Sequence, residues 1–481
     1  MSRDCVQLEM NFNGSEGNLF RSRLETGDFQ ILAEIALPEG EISSDEISGR
    51  YADFEYLVLS RKTPTSLAIT TENLTQTDPV LFAAQICQTD RDRHLLYFSG
   101  RDRTPKELFE MARLATGEGF KNFCCVSGKP LPGEDARASR EHPFTESPCT
   151  LAELQKNFGS TIMTGAVVNP FKYTASALCM QYFKLIRKIN AGASFAVTQY
   201  GWDILKLQEL RWNLFQRSCH IPTIARLLFL SQDKAKELCE GTVPGVQISP
   251  DLAHILRREL QYTRSQFAAA QIRQLQLYAA GARLLGYSGI QIAGADSPAK
   301  LEMLLDKIDE AFTEFKDFNT WSSAYRQYYE RLDMAPYPHR FYFFEKLLSS
   351  ALPPTPLPVA AAEFPPCSGK EIFRYKTGKL LCGHAAELPA DEKRLTKKML
   401  FGCKGCNRCR LPQTFYICPE TCPIHRANGP CGEIRVDGTC PFDHEQECIY
   451  IHQMRLVNEL REYPALEEGV VPDGDLFSGD R

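Results

Sequence analysis

Residues 188–203 read KINAGASFAVTQYGWD. A stretch ending in Lys-Ile-Asn passes through small residues into SFAVTQ, a short β-branched and aromatic run that closes on an amide, Gln199. A brief apolar run bounded by small or polar residues is the signature of a strand buried on both faces. The pattern recurs through FQILAEIAL, SLAITT, HLLYFSG, KNFCCVSG, STIMTGAVV, IPTIARLLFL and SGIQIAG, making eight strand candidates between about residues 29 and 312. Helix-like segments such as TPKELFEMARLATGEG and SPAKLEMLLDKIDEAF separate them. Eight β/α units in under 300 residues fit a closed (β/α)8 TIM barrel. The open doubly wound sheet is disfavoured, because neither G-x-G-x-x-G after the first strand nor a Walker loop is present.

In such a barrel the chemistry sits at the carboxyl ends of the strands. The polar residues closing each run are Glu34, Thr70, Arg101, Asp102, Lys129, Asn169, Gln199 and Asp203. Glu34 interrupts an apolar strand; facing inward it would be desolvated and its pKa raised, as a general acid at neutral pH requires. Facing outward it would be solvated or paired with a lysine. Gln199 offers donor and acceptor to a planar heterocycle, or caps its strand. Asp102 falls where a carboxylate caps the following helix.

The chain has 481 residues, 43% hydrophobic and 24% charged, enough for one large domain and a smaller one. Its formal net charge is -5 and its pI about 6.1, which offers nucleic acid no global attraction. No apolar run reaches membrane-spanning length and the start, MSRDCVQLEMNFNGSEG, has no signal-peptide form, so a cytoplasmic protein without membrane partners is expected. Eighteen cysteines in a reducing compartment point to metal ligands rather than disulfides. Eight (Cys5, Cys87, Cys124, Cys125, Cys149, Cys179, Cys219, Cys239) are scattered without ligand spacing and read as small buried residues. The other ten lie between Cys367 and Cys448, after a Pro/Ala-rich linker, ALPPTPLPVAAAEFPP, at 351–366. The expected division is an N-terminal extension (1–28), a barrel (29–312), an aromatic helical connector and linker (313–366) whose rings pack the tail against the barrel, and a cysteine-rich domain with an acidic tail (367–481).

In that domain Cys403, Cys406 and Cys409 follow C-x2-C-x2-C, which lets three thiolates converge from one loop, and Cys418 precedes a proline. With Cys422, Cys431, Cys440 and Cys448 they supply two four-thiolate centres, or one cluster and one zinc; Cys367, Cys382 and His384 are further candidate ligands. Spacing favours [4Fe-4S] clusters and leaves zinc as the alternative.

The strand ends LAEIALPEG, LLYFSGRDRTPKEL, KNFCCVSGKPLPG, GAVVNP, KINAGASFAVTQYGWD and AGADSPAKLEMLL together resemble methylenetetrahydrofolate reductase, a flavin-containing barrel. The resemblance implies Glu34 as the acid that opens a methylene-folate, Gln199 and Asp102 as pterin ligands, and Thr70, Lys129, Asn169 and Lys188 around a flavin, FAD or FMN. The chain departs from the family where Arg-Gly-Asp becomes Ser127, Gly128 and Lys129, and where a histidine becomes Tyr97. A lysine beside the flavin pyrimidine would stabilise the anionic reduced form. The tail, through FGCKGCNRC, ICPETCP and NGPCG, is similar to the cysteine-rich carboxyl-terminal module that accompanies these reductases, with Glu433 in place of a glycine. This implies electron entry from ferredoxin or an iron-sulfur, heterodisulfide-reductase-like subunit. The alternative is a flavin-free, folate-binding barrel that acts as a docking or methyl-transfer subunit with structural zinc. Homo-oligomerisation is left open.

Overall fold

The computed structural model describes residues 17–38, 42–71, 78–128, 144–243, 245–353, 364–382, 394–404, 406 and 408–472. All eight predicted strands form: β1 Gln30–Ala36, β2 Thr65–Thr70, β3 Leu95–Ser99, β4 Asn122–Val126, β5 Met163–Val168, β6 Phe195–Thr198, β7 Thr223–Leu228 and β8 Gly289–Ala293. Each pairs in parallel with the next, and β1 also pairs with β8, closing the barrel. Helices return the chain between strands. Those that matter below are α1 Leu19–Thr26, α2 Pro105–Gly117, α3 Ala175–Asn190, α4 Ile204–Gln216, α5 Arg264–Leu284, α6 Phe318–Arg331, α7 Gly369–Cys382, α8 Arg394–Phe401 and α9 Ile449–Leu460. Local signals set their ends. Thr104 and Glu107 form a reciprocal capping box at the start of α2, with proline at the first turn.

Alternation along the strands sorts the barrel interior into two layers. Leu32, Leu95, Val197 and Ile224 join Phe20, Leu24 and Phe195 in an apolar lower cluster. Two residues on, toward the carboxyl ends, stand Glu34, Tyr97, Gln199 and Arg226. Helix α1 seals the lower end, with Phe20 edge-on to Phe195 at 5.5 Å, so part of the expected N-terminal extension belongs to the barrel core. Gly165 makes room for that ring: a Cβ there would stand 2.2 Å from Phe195.

The aromatic connector packs back onto the barrel's own helices. In α6, Trp321 donates to Leu277 O of α5 at 2.8 Å, and the Tyr278 and Tyr329 hydroxyls pair at 3.0 Å. Further on, Tyr342 donates to Asp203 at 2.9 Å and Leu348 N to Gln208 of α4 at 2.8 Å, beside a fully buried Lys206–Glu209 pair. Against the cysteine-rich domain the barrel instead offers α3. Phe183 stacks on Tyr463, and Arg187 donates to Ala465 O at 3.0 Å. That domain is small, built from α7, α8, α9 and the antiparallel pair β9 Thr439–Cys440 and β10 Asp443–Glu447. No helix among the described residues is long and apolar enough to cross a membrane.

Candidate active site at the barrel mouth

The upper layer is a connected polar network. Glu34 accepts from Arg226 on both oxygens, Nε at 2.7 Å and the shorter Nη2 contact, and from Gln291 Nε2 at 2.7 Å. Tyr97 donates to Gln291 Oε1 at 2.8 Å, and Arg226 Nη1 reaches Gln199 Oε1 at 3.3 Å. The register of β7 and β8 sets Arg226 beside Gln291. Glu34 thus faces inward and is buried, as required of an acid, but its surroundings are charged and amidic rather than apolar. In this arrangement both of its oxygens act as acceptors. Burial holds the Tyr97 phenol well above its ordinary range.

Above this network lies a cavity of about 140 Å³ whose walls come from both parts of the chain. Thr70, Asn169, Lys188, Gln199 and Arg226 line it from the barrel, and Arg426, Cys431, Gly432 and Glu433 from the cysteine-rich domain. Glu34 lies one step below, behind Arg226. Asp102 pairs with Arg101 at 3.0 Å and does not line the cavity; Asp203 caps α4 through Leu205 N at 3.1 Å. Lys129 lies outside the described residues, as does His384.

The domain reaches the mouth as an irregular segment, Arg426–Ile434, seated by barrel side chains. Glu146 accepts from Ala427 N at 2.6 Å, Asn428 N at 3.1 Å and Asn428 Nδ2 at 3.1 Å. Lys184 donates to Gly429 O at 3.1 Å and Pro430 O at 2.8 Å, Asn169 to Gly432 O at 2.8 Å, and Lys172 to Ile434 O at 3.2 Å. In return Arg426 Nη2 donates to Gly128 O at 3.0 Å. Gly432, at φ +92°, carries the turn against Asn169. Lys188 donates to Val167 O at 2.6 Å, and burial brings its pKa down to about 7.

These observations test the cofactor fit. The second Asn169 Nδ2 hydrogen bond goes to Gly245 O and its Oδ1 accepts from Phe171 N, so the amide has no donor left for a ligand. Lys188 gives one of its hydrogens to the Val167 carbonyl. The remaining cavity is smaller than the roughly 300–1,000 Å³ usual for cofactor pockets. With Arg426–Ile434 seated, the residues present do not fit a flavin.

The domain's thiols fall into two sets. Cys406 is pushed up to about 11 and Cys418 to about 12, by burial first and then by Cys403 and Cys409, with Cys418 also acting on Cys406. Cys422, Cys431, Cys440 and Cys448 are raised in the same way, by burial and by one another. Thiols that sense each other's charge are neighbours, yet among the described residues no three His, Cys, Asp or Glu side chains gather closely enough to hold a metal ion. Cys367 stands outside both sets, whereas Cys382 packs with Phe401, Leu411 and Cys418, beside the first set.

Sequence reading missed Arg226 and Gln291 and, of the seating set, Glu146, Lys172 and Lys184; Asn169 was singled out, but for a cofactor. Arg226 in TIARLL carried the same signal as Glu34, a lone charge in an apolar strand, two positions past an inward apolar residue. Glu146 and Lys184 carried none, since their partners are backbone groups more than 240 residues away.

Known proteins bear on this geometry. Residues 385–475 match the family model described as methylene-tetrahydrofolate reductase C terminal. A solved structure of an uncharacterized protein from Clostridium thermocellum, which binds two copies of 5-methyl-5,6,7,8-tetrahydrofolic acid, is 14% identical with a TM-score of 0.45, covering 61% of this chain and 99% of that one. No curated protein matches the chain. Residues 20–272, more than half of the chain and all but the last strand of the barrel, match the model for methylenetetrahydrofolate reductase, and the chain belongs to that family.

Proposed function

We propose that the barrel mouth binds a tetrahydrofolate-type pterin and interconverts its 5,10-methylene and 5-methyl forms, in a site that the cysteine-rich domain completes. The observation that carries this reading is the buried Glu34–Arg226–Gln291–Tyr97 network with Gln199 at its rim. A pterin carries a donor-rich amino-amide edge beside a carbonyl. Gln199 can meet both, and Arg226 the carbonyl. Glu34 is the proposed acid. To donate, it must exchange the Arg226 contact, and Gln199 Oε1 stands as the alternative acceptor for that guanidinium.

The two thiol sets have the donor type for [4Fe-4S] centres or zinc. The second set would place a centre at the cavity itself, because Cys431 lines the same cavity as Gln199, from the opposite side. This favours electron delivery to the mouth, from ferredoxin or an iron-sulfur subunit outside the chain. The family generally binds flavin, which would supply hydride at this position; here Thr70, Lys188 and, by sequence, Lys129 could face one only after Arg426–Ile434 moved away. The seated segment favours a second reading, a flavin-free pterin-binding barrel that docks or passes methyl groups, with the thiols as a structural zinc staple.

Metal and flavin analysis of anaerobically purified protein separates the two. Iron with acid-labile sulfide supports the redox reading; zinc alone, with no flavin taken up from added FMN or FAD, supports the second. Glu34→Gln is expected to abolish turnover of methylene-tetrahydrofolate while calorimetric binding of 5-methyl-tetrahydrofolate persists. Unchanged turnover removes the acid role, and absent pterin binding by the native chain removes both readings.

A further inference from the structure

We propose that α7, α8 and the loop after α8 form the docking face for a small electron-carrier protein with an acidic surface. The proposal rests on the reading that the thiol sets conduct electrons, and it names where the electrons enter. Charge singles out this region: residues 367–410 hold eleven Lys and Arg against four Asp and Glu, in a chain whose net charge is -5. Of these cations Lys370, Lys376, Lys379, Lys398, Lys404 and Arg408 are exposed.

Among them stand three large apolar side chains left in water: Phe373, 64% exposed, Leu380, 84%, and Met399, 86%. In α7, Phe373, Lys376 and Leu380 recur at i, i+3 and i+7 and share the outer face, while Tyr375, Gly378 and Cys382 form the buried one. That inner face is fixed, since a Cβ at Gly378 would stand 2.6 Å from the Tyr416 ring. Helix α8 is joined to α7 by Arg374, whose Nε donates to Leu400 O at 2.9 Å.

Directly behind this face is the first thiol set. Cys403, Cys406 and Cys409 are only half-buried, and Lys397 Nζ lies 3.8 Å from Cys409 Sγ. Exposed apolar side chains interleaved with cations have the make-up of a protein interface whose encounter is steered by charge. A bilayer is the poorer match. Interfacial helices present a broad apolar face, whereas here three apolar side chains are interleaved with lysines and the helix cannot roll to show more.

The test uses the full chain purified anaerobically and an acidic ferredoxin as probe, with binding measured by surface plasmon resonance at low and high salt. Lys376→Glu with Lys379→Glu and Lys398→Glu is expected to weaken binding by about tenfold or more, mainly through the on-rate, and to erase its salt dependence. Phe373→Ser with Leu380→Ser and Met399→Ser is expected to accelerate dissociation about tenfold. These side chains are exposed, so the melting temperature should hold in both variants and certify the fold. Ferredoxin that does not bind, or binds both variants as well as the native chain, overturns the proposal. So does capture by anionic phosphatidylglycerol vesicles, or self-association in sedimentation, that the same substitutions abolish while ferredoxin fails to bind. Protein that lacks iron yet binds ferredoxin with the expected sensitivity removes the electron reading and leaves the docking face. Protein with a dithionite-reducible centre and no ferredoxin affinity removes the docking face alone.

Discussion

The two walls of the mouth are built by opposite means. On the barrel side, side chains fixed by strand register meet side chains: Glu34, Arg226, Gln291 and Tyr97 come from four strands and form one network. On the domain side, the wall is an irregular segment whose backbone groups are gripped by the barrel through Glu146, Lys184, Asn169 and Lys172. The first wall is held by a closed ladder and a large apolar core. The second packs against the barrel: Ile434 and Ile451 cluster with Ala177 of α3, and Tyr450, Met454 and Val457 join the large core. The difference teaches that strand register positions the barrel side of the site, whereas the domain side is positioned by barrel side chains that bind its backbone.

The sharpest way to break the comparison is Arg226→Ala. It leaves the Glu34 carboxylate buried without its cation, and a loss of about 3–5 kcal/mol in denaturant-measured stability is expected, together with loss of pterin binding. The double variant with Glu34→Ala should lose less than the sum of the singles. Amide exchange of residues 426–434 should stay slow, unless the walls are coupled.

Glu146→Ala attacks the other wall. Two buried backbone N–H groups lose their acceptor, costing about 2–3 kcal/mol. Here the expected signature is local: amides of 426–434 exchange faster while β1 to β8 keep their protection. A global loss of protection would show that the seated segment stabilises the barrel as well.

The smallest effect is a pH slope. Burial holds Lys188 at about 7 against an ordinary 10.5, so across that window the unfolded chain binds more protons than the folded one. The contribution of Lys188 to stability should therefore rise as pH climbs from about 7 toward 10, and Lys188→Met should remove that part of the slope. A slope unchanged by the substitution would place the titrating group elsewhere.

Much of the barrel side was legible because strand physics is local. SFAVTQ, FQILAEIAL and six similar runs each announced a buried strand, and the polar residue near each end announced the mouth, which placed Glu34, Thr70, Asn169 and Gln199. Asp102 looked equivalent by position, but its ion pair with Arg101 lies off the cavity wall, since a strand end sets a height along the barrel and not the direction of a side chain. The aromatic connector was legible as helix. Its partner was not: Trp321 finds Leu277 O through close helix contact at Gly281, which no spacing reveals.

The sequence by itself determined the eight-strand barrel, the apolar lower layer and the polar upper one, and the thiol-rich tail, because period-two alternation and cysteine spacing act over a few residues. Only the tertiary structure decided that Glu34 is met by Arg226 and that the tail's Arg426–Ile434 segment sits in the mouth where a cofactor would be expected. Both depend on groups distant in the chain brought within hydrogen-bond reach. Burial there makes each partner obligatory, because an unpaired charge or amide cannot remain in a site without water.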